Sequence, residues 1–112
     1  MELTIDFIMK RVINGLNYDT ETATEICRLK CNEQGSDFRA HTTYLYKTAK
    51  GRFFIAGSGG PLSLWATDVE GGGTSSGSGV KPITPTEART HMQDAECSIE
   101  HFVAVGLTVE DA

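Results

Sequence analysis

Two pairs of sulfur and nitrogen side chains have a spacing that suits metal binding. Cys27 and Cys31 are four residues apart, and Cys97 and His101 repeat this spacing later in the chain. On helices, side chains four apart share a face, so two such pairs could supply the four ligands of a tetrahedral zinc site. The spacing differs from the short Cys-x-x-Cys knuckle of common structural zinc sites. Cys27 also falls on an apolar face, so we predict buried thiols and no bound metal.

The histidines, serines and acids do not form a recognisable catalytic set. Such a site needs a nucleophile and a base within hydrogen-bond reach. His41 precedes a strand, His91 lies on an acidic helix and His101 flanks an apolar run. The serines concentrate in a glycine-rich segment that lacks the flanking strand of a Gly-x-Ser-x-Gly elbow, and Asp68 and Glu70 beside it have no matching base. We assign no catalytic residue and no cofactor, and enzymatic activity is the less favoured alternative.

The glycine-rich stretch at 57–80 invites comparison with phosphate-binding loops. Gly57-Ser58-Gly59 follows a predicted strand, but Leu62 replaces the third glycine of a dinucleotide fingerprint. A Walker-type glycine spacing further on lacks the lysine that contacts phosphates. These departures argue against a nucleotide site. They favour turns followed by a flexible Gly/Ser-rich loop at about 71–79.

The segment from Thr42 to Ala56 combines aromatic and basic side chains, as single-stranded nucleic-acid platforms do. The rings are those of Tyr44, Tyr46, Phe53 and Phe54, and the cations are Lys47, Lys50 and Arg52. Alternatively, the rings fill the core while the cations solvate a turn. We favour this alternative because the net charge of -5 is concentrated in residues 57–112, where Lys81 and Arg89 are the only lysine and arginine.

The composition describes one folded domain. A chain of 112 residues with 39% hydrophobic and 22% charged residues has room for one modest core. No apolar run approaches the roughly 20 residues of a membrane-spanning helix, and the acids in Met1–Ile8 do not suit a secretory signal. The odd number of cysteines, three, suits reduced thiols. We therefore predict a cytoplasmic protein.

Turn and periodicity signals predict an α+β domain at 9–112 after an extension at 1–8. Asn14-Gly15 predicts a hairpin at about 10–18, and the aromatic segment predicts another at about 42–56. Asp19 or Thr20 as N-cap, followed by a face that includes Ile26 and Cys27, predicts a helix at about 20–30, packed on one face of the resulting antiparallel sheet. In the second hairpin, Tyr44, Tyr46 and Phe54 are expected on one face, opposite Leu45, Phe53 and Ile55.

The C-terminal region is predicted to be helical. Thr84 as N-cap, Pro85 at the first helical position and Glu87 three residues after the cap predict a helix that runs to about Ala95. A second short segment, helical or extended, spans Ile99–Val105. The preceding residues 81–84 are expected to form an edge strand, because Pro82 lacks an amide donor.

Several motifs occur together in a characteristic order. They are Tyr18-Asp19-Thr20-Glu21-Thr22-Ala23, Thr43-Tyr44-Leu45-Tyr46, Gly51-Arg52-Phe53-Phe54, Gly57-Ser58-Gly59-Gly60-Pro61-Leu62-Ser63 and Pro82-Ile83-Thr84-Pro85-Thr86-Glu87-Ala88. With this set the chain resembles, over roughly 9–95, a group of short uncharacterised bacterial proteins carried on phage and other mobile elements, including gene-cassette cargo. The resemblance implies a mobile-DNA context and supplies no catalytic residue, because the group has no established activity.

The leading hypothesis is a non-enzymatic protein-interaction module that forms a homodimer, to which residues 1–8 could add a strand. Trp65 could anchor the glycine-rich loop against the core or contact a partner, and both alternatives stay open. The candidate binding residues are Trp65, Gly59, Gly60, Tyr44 and Tyr46. One alternative is a small-molecule-binding domain or small enzyme with its pocket between the sheet and the glycine-rich loop. The other is nucleic-acid binding through the 44–54 hairpin.

Overall fold

A computed structural model of the chain describes residues 9–31 and 37–112, so the predicted extension at 1–8 lies outside the described residues. The secondary-structure elements of the described part are β1 (Lys10–Ile13), β2 (Leu16–Asp19), β3 (Thr24–Arg28), β4 (His41–Lys47), β5 (Phe53–Gly59), β6 (Thr67–Asp68), β7 (Thr74–Ser75), β8 (Gly77–Ile83), α1 (Pro85–Asp94) and α2 (Ile99–Ala104). The main antiparallel sheet has the order β3-β4-β5-β8, and β1-β2 and β6-β7 form separate two-stranded sheets. The predicted α+β class is confirmed.

Both predicted hairpins are present, but they do not lie in one sheet. Asn14 and Gly15 have φ angles of 52° and 79°, which is the left-handed pair that a type I′ turn requires. The β1-β2 hairpin packs on the main sheet, where the ring of Tyr18 meets the ring of Phe54 edge-on at 5.4 Å. The β4-β5 hairpin forms the centre of the main sheet. The first hairpin therefore covers the sheet that it was expected to extend.

The helix predicted at about 20–30 is wrong, because this segment contains strand β3. Asp19 does act as a cap, since its Oδ1 accepts from the amide of Glu21 at 2.9 Å, but only one turn follows. The chain then pairs with β4, and a register shift between Glu25 and Cys27 marks a bulge. Both Ile26 and Cys27 consequently pack into the same core cluster. The bulge breaks the two-residue alternation of a strand, and the apolar pattern then imitates a helical face.

The main sheet carries an apolar layer on each face. On one face, Leu45 and Ile55 share a core cluster with Ala88 and Met92 of α1 and Phe102 of α2. On the other face, Tyr46 and Phe54 belong to a second cluster with Tyr18, and the rings of Tyr46 and Phe54 stack at 5.0 Å. The predicted division of the second hairpin into two apolar faces is confirmed. Both faces are covered, one by the helices and one by the β1-β2 hairpin.

Helix α1 begins as the sequence predicts. Thr84 Oγ1 accepts from the amide of Glu87 at 3.1 Å, and Glu87 Oε1 accepts from the amide of Thr84 at 2.8 Å. These two bonds form a capping box, with Pro85 at the start of the helix. Hydrogen bonding from the Thr84 backbone amide lowers the pKa of Glu87. The preceding strand β8 is an edge of the main sheet, as the position of Pro82 predicts.

Both helices end in a Schellman motif, in which a residue with positive φ follows the C-cap. In α2 this residue is Gly106, with φ 85°, and the amide of the next residue, Leu107, donates to the carbonyl of Phe102 at 2.9 Å. In α1 it is Glu96, with φ 59°, and the amide of Cys97 donates to the carbonyl of Met92 at 3.0 Å. The turn after α1 therefore holds a side-chain-bearing residue where glycine is preferred.

The Glu96→Gly variant is expected to be more stable than the wild type by about 0.5–1 kcal/mol. The left-handed conformation costs a non-glycine residue about 1 kcal/mol or more, and the greater freedom of glycine in the unfolded chain offsets part of that gain. Chemical denaturation followed by circular dichroism measures the change. Gly106→Ala is the matched control, because it introduces the same penalty at the end of α2 and should be destabilising. A Glu96→Gly protein that is less stable than the wild type would contradict this account of the turn.

Candidate functional site

The glycine-rich region reaches the end of the main sheet where β4 begins and β5 ends. There the segments 37–40 and 60–66 form a surface that we call the loop cap. The amide of Gly60 donates to the carbonyl of Ala40 at 3.0 Å, and the amide of Leu62 donates to the carbonyl of Phe38 at 2.9 Å. Ser63 Oγ donates to the carbonyl of Gly60 at 2.8 Å. Hydrogen bonds therefore join the two segments and close the turn within the second.

The candidate residue Gly60 allows the two segments to approach each other, and Gly59 allows the turn at 60–63 to pack against the end of β5. A Cβ atom on Gly59 would lie 2.3 Å from Ser63 Oγ, and one on Gly60 would lie 2.5 Å from the carbonyl oxygen of Phe38. Real Cβ contacts are longer than these distances, so a side chain at either position would displace its neighbours. Glycine at these two positions is therefore needed for close packing in the loop cap.

The loop predicted at about 71–79 is largely strand, and the prediction is corrected accordingly. Thr74–Ser75 forms β7, and the glycines that follow belong to β8, where Gly77 pairs with Gly59 and Gly79 pairs with Gly57. A Cβ on Gly79 would lie 3.2 Å from Cζ3 of Trp65, so the missing side chain makes room for the indole. The glycines of β8 therefore form a packing surface. Within the predicted segment, Gly71 to Gly73 remain in the β6-β7 turn.

Trp65, in the second segment of the loop cap, has its side chain in the core. Its side chain is 7% exposed, and its Nε1 donates to Oγ1 of the fully buried Thr43 at 2.8 Å. Because an indole nitrogen can only donate, the threonine oxygen is the acceptor. Nδ1 of His41 lies 2.8 Å from the same oxygen. The sequence left open whether Trp65 anchors the glycine-rich region against the core or contacts a partner. Its burial and its bond to Thr43 are those of an anchor.

Three large apolar side chains of the loop cap are exposed. Phe38 is 65% exposed, Leu62 61% and Leu64 42%. The β6-β7 hairpin lies beside them, because Oγ1 of Thr74 donates to the carbonyl of Pro61. That hairpin exposes Val69 in its turn, together with the flanking acids Asp68 and Glu70. The sequence signal for this surface is a pair of leucines next to a Gly-Pro turn, and neither leucine is among the predicted binding residues.

The two candidate tyrosines do not join this surface. Tyr46 is buried against Phe54, and burial, followed by the negative charge of Glu25, raises the pKa of its hydroxyl to about 12. Tyr44 is partly exposed and lies opposite Ala56 on β5. The candidate residues are thus divided between the core, the packed turn and the sheet face.

Three of the four aromatic rings and one cation of the nucleic-acid hypothesis have structural roles. Phe53 and Phe54 are buried, as is Tyr46, so these rings are not accessible to stack on bases. Lys47 Nζ donates to the carbonyl of Val105 at 2.7 Å and lies 5.6 Å from the centroid of the Phe53 ring. This bond joins β4 to the C-terminal end of α2.

A polar cavity of about 340 Å³ lies beside the loop cap. Its lining residues are Arg28, Cys31, Ala40, His41, Thr42, Ser58, Gly59 and Gly60. Thr42 and Ser58 oppose each other across β4 and β5, and both are exposed. The small-molecule alternative would use this cavity, which lies between the sheet and the first glycine-rich turn.

The cysteines do not assemble as the zinc hypothesis requires. Cys27 packs against the core next to Cys97, whereas Cys31 lines the polar cavity. Within residues 9–31 and 37–112 no group of three or more potential metal ligands comes together. The structure thus brings together one thiol from each predicted pair.

Comparison of the chain with protein-family models, with curated proteins and with solved structures gives no match. In the part of the chain that the structure describes, no helix is long and apolar enough to cross a membrane.

Proposed function

We propose that this protein is a non-enzymatic protein-interaction module whose contact surface is the loop cap. The observation that carries the proposal is the exposure of Phe38, Leu62 and Leu64 on two short segments that hydrogen bonds hold together. Exposed apolar side chains that cluster at one place on a soluble domain are typical of protein contacts. The buried Trp65 supports this surface from the core side.

The loop cap is organised before any partner binds. Ser63 Oγ accepts from the amide of Trp65 at 3.2 Å and donates to the carbonyl of Gly60, so hydrogen bonds within the segment hold the turn in place. Binding to an ordered loop avoids the entropic cost of fixing that loop during association. A small apolar surface therefore contributes more to affinity here than it would on a mobile segment.

The charges in the loop cap and on the hairpin beside it indicate the chemistry of the partner. Arg39 forms an ion pair with Asp37 at 3.0 Å, so these two charges offset each other. Asp68 and Glu70 on the neighbouring hairpin are exposed. We therefore expect a protein partner with an apolar contact patch bordered by lysine or arginine, because opposite charges speed association and favour the correct orientation.

The Phe38→Ser/Leu62→Ser double variant tests this proposal. Tagged wild-type and variant proteins are incubated with a host lysate, and the captured proteins are identified by mass spectrometry. Binding of the captured partner is then measured with purified proteins. We expect a partner that the double variant binds at least about tenfold more weakly, because apolar residues at the centre of a contact contribute most of the affinity.

Val12→Ser is the matched control, because Val12 is an apolar residue that is 70% exposed on β1. The β1-β2 hairpin packs near Phe54, at the end of β5 that is opposite the loop cap. It should leave binding unchanged, and Asp68→Asn/Glu70→Gln should reduce the salt dependence of binding. Retention of every partner by the double variant would contradict the placement of the contact surface.

Light scattering tests the predicted homodimer. If the wild type is a dimer and the double variant is a monomer, the loop cap binds a second copy of this chain, and the proposed foreign partner is wrong.

A further inference from the structure

Two thiols from distant parts of the chain lie at the edge of the core cluster between the main sheet and the two helices. Cys27 lies in β3 and Cys97 follows α1, and both are partly buried and free. Each packs against the same core cluster, which includes Ile26 and Met92. Interaction with the Cys97 side chain is among the causes that raise the pKa of the Cys27 thiol, so the two thiols are neighbours.

Backbone features on both sides produce this contact. The bulge after Glu25 brings Cys27 to the core face next to Ile26. The Schellman turn at Glu96 binds the amide of Cys97 to the carbonyl of Met92, a fully buried core residue. Strand pairing therefore holds the backbone at Cys27, and the Schellman turn holds the backbone at Cys97.

We propose that Cys27 and Cys97 are an oxidative modification site and form a reversible disulfide that joins β3 to the α1–α2 connection. The oxidant is a low-molecular-weight disulfide of the glutathione type. Cys97 attacks it as a thiolate, forms a mixed disulfide and releases one small thiol. Cys27 then attacks the Cys97 sulfur as a thiolate and releases the second small thiol. Two electrons pass from the protein to the small disulfide, and the two thiol protons end on the released thiols.

The order of these steps follows from the environment of Cys27. Burial, followed by interaction with Cys97, raises the pKa of the Cys27 thiol to about 12. Its thiolate is therefore scarce near neutral pH, and Cys27 acts as the second, resolving thiol. Closure of the disulfide should be slow near neutral pH and should accelerate as the pH rises, because a larger fraction of Cys27 is then thiolate.

The cross-link would connect parts of the fold that are far apart in sequence. The bond between Cys27 and Cys97 closes a loop of about 70 residues. Closing so long a loop restricts the unfolded chain strongly, so the oxidised form should unfold at a higher temperature. It would also tie the helical layer to an edge strand of the main sheet.

The experiment treats the purified full-length chain with oxidised glutathione and maps the products by peptide mass spectrometry without reduction. We expect a Cys27–Cys97 disulfide that dithiothreitol reverses, and a rise in Tm of about 10 °C or more on oxidation. Cys31→Ser is the control and should behave as wild type. Cys27→Ser and Cys97→Ser should lose the rise in Tm.

Mapping on the wild-type chain keeps the test decisive if a serine variant fails to fold. A disulfide that includes Cys31, or glutathione adducts without an internal disulfide, would overturn the proposal. A Cys27–Cys97 bond that forms without raising Tm would overturn its stabilising role.

Discussion

Replacing Trp65 with alanine should lower the free energy of unfolding by about 4 kcal/mol. The substitution removes a large buried side chain, which alone typically costs 3–5 kcal/mol. It also opens a cavity beside Gly79, where no side chain can fill the space. The hydroxyl of the fully buried Thr43 would lose the indole donor at 2.8 Å. Chemical denaturation followed by far-ultraviolet circular dichroism is the appropriate measurement, since Trp65 is the only tryptophan and fluorescence would lose its probe.

The Trp65→Phe variant separates packing from hydrogen bonding. Phenylalanine keeps most of the apolar volume but has no N–H group, so we expect a smaller loss of about 1–2 kcal/mol. A Trp65→Ala variant as stable as the wild type would contradict the anchor role and would return Trp65 to the surface alternatives. Because Trp65→Ala disrupts the core, a loss of partner binding in this variant does not show that Trp65 contacts the partner. A substitution of the exposed Leu62 does test a direct contact.

The elements that the sequence predicted correctly are those that local chemistry determines. Asn14-Gly15 adopts the positive φ angles that a tight hairpin needs, whatever lies around it. Thr84 and Glu87 form their two reciprocal bonds within a single turn. Signals of this kind act over four residues or fewer, so a single sequence contains all the information they require.

Strand β3 was mispredicted because its partner determines its structure. Asp19 and the residues after it carry a sound helix-start signal, which the structure uses for one turn. Pairing with β4 then overrides the local preference, as tertiary contacts commonly do. The bulge that places Ile26 and Cys27 together in the core hid the strand alternation. No local rule identifies such a bulge.

The site was only partly accessible to sequence reasoning for a related reason. The glycine-rich region was identified, but four of its glycines, Gly57, Gly59, Gly77 and Gly79, proved to be packing positions in paired strands. The hydrogen bond from Trp65 to Thr43 joins residues 22 positions apart, and the Cys27–Cys97 contact joins residues still further apart. These contacts depend on strand register, which the order of residues alone did not reveal. The apolar surface of the loop cap became recognisable only when Phe38 and Leu62 were seen to be neighbours.

Gly57→Ala should destabilise the protein by about 3 kcal/mol or more, although it adds a single methyl group. A Cβ atom at this position would lie 2.2 Å from the carbonyl oxygen of Thr42 and 2.8 Å from the Cα atom of Thr43. Both are main-chain atoms of β4, so no side-chain rotation can relieve the overlap. β5 cannot move away either, because β8 pairs with it on the other side. Overpacking typically costs 1–3 kcal/mol, and a site without freedom to adjust should lie at the upper end or beyond.

The neighbouring Ser58→Ala variant is the matched control for this steric argument. Ser58 is exposed, and shortening it adds no atom, so its free energy of unfolding should stay within about 0.5 kcal/mol of the wild type. Denaturation curves followed by circular dichroism compare the two variants directly. The overlap at Gly57 also reaches Oγ1 of Thr43, the acceptor for Trp65, so a folded Gly57→Ala protein should bind its partner more weakly as well. A Gly57→Ala variant within about 1 kcal/mol of the wild type would show that β4 and β5 can separate locally, and the loop cap would then rest on a less rigid base than its hydrogen bonds indicate.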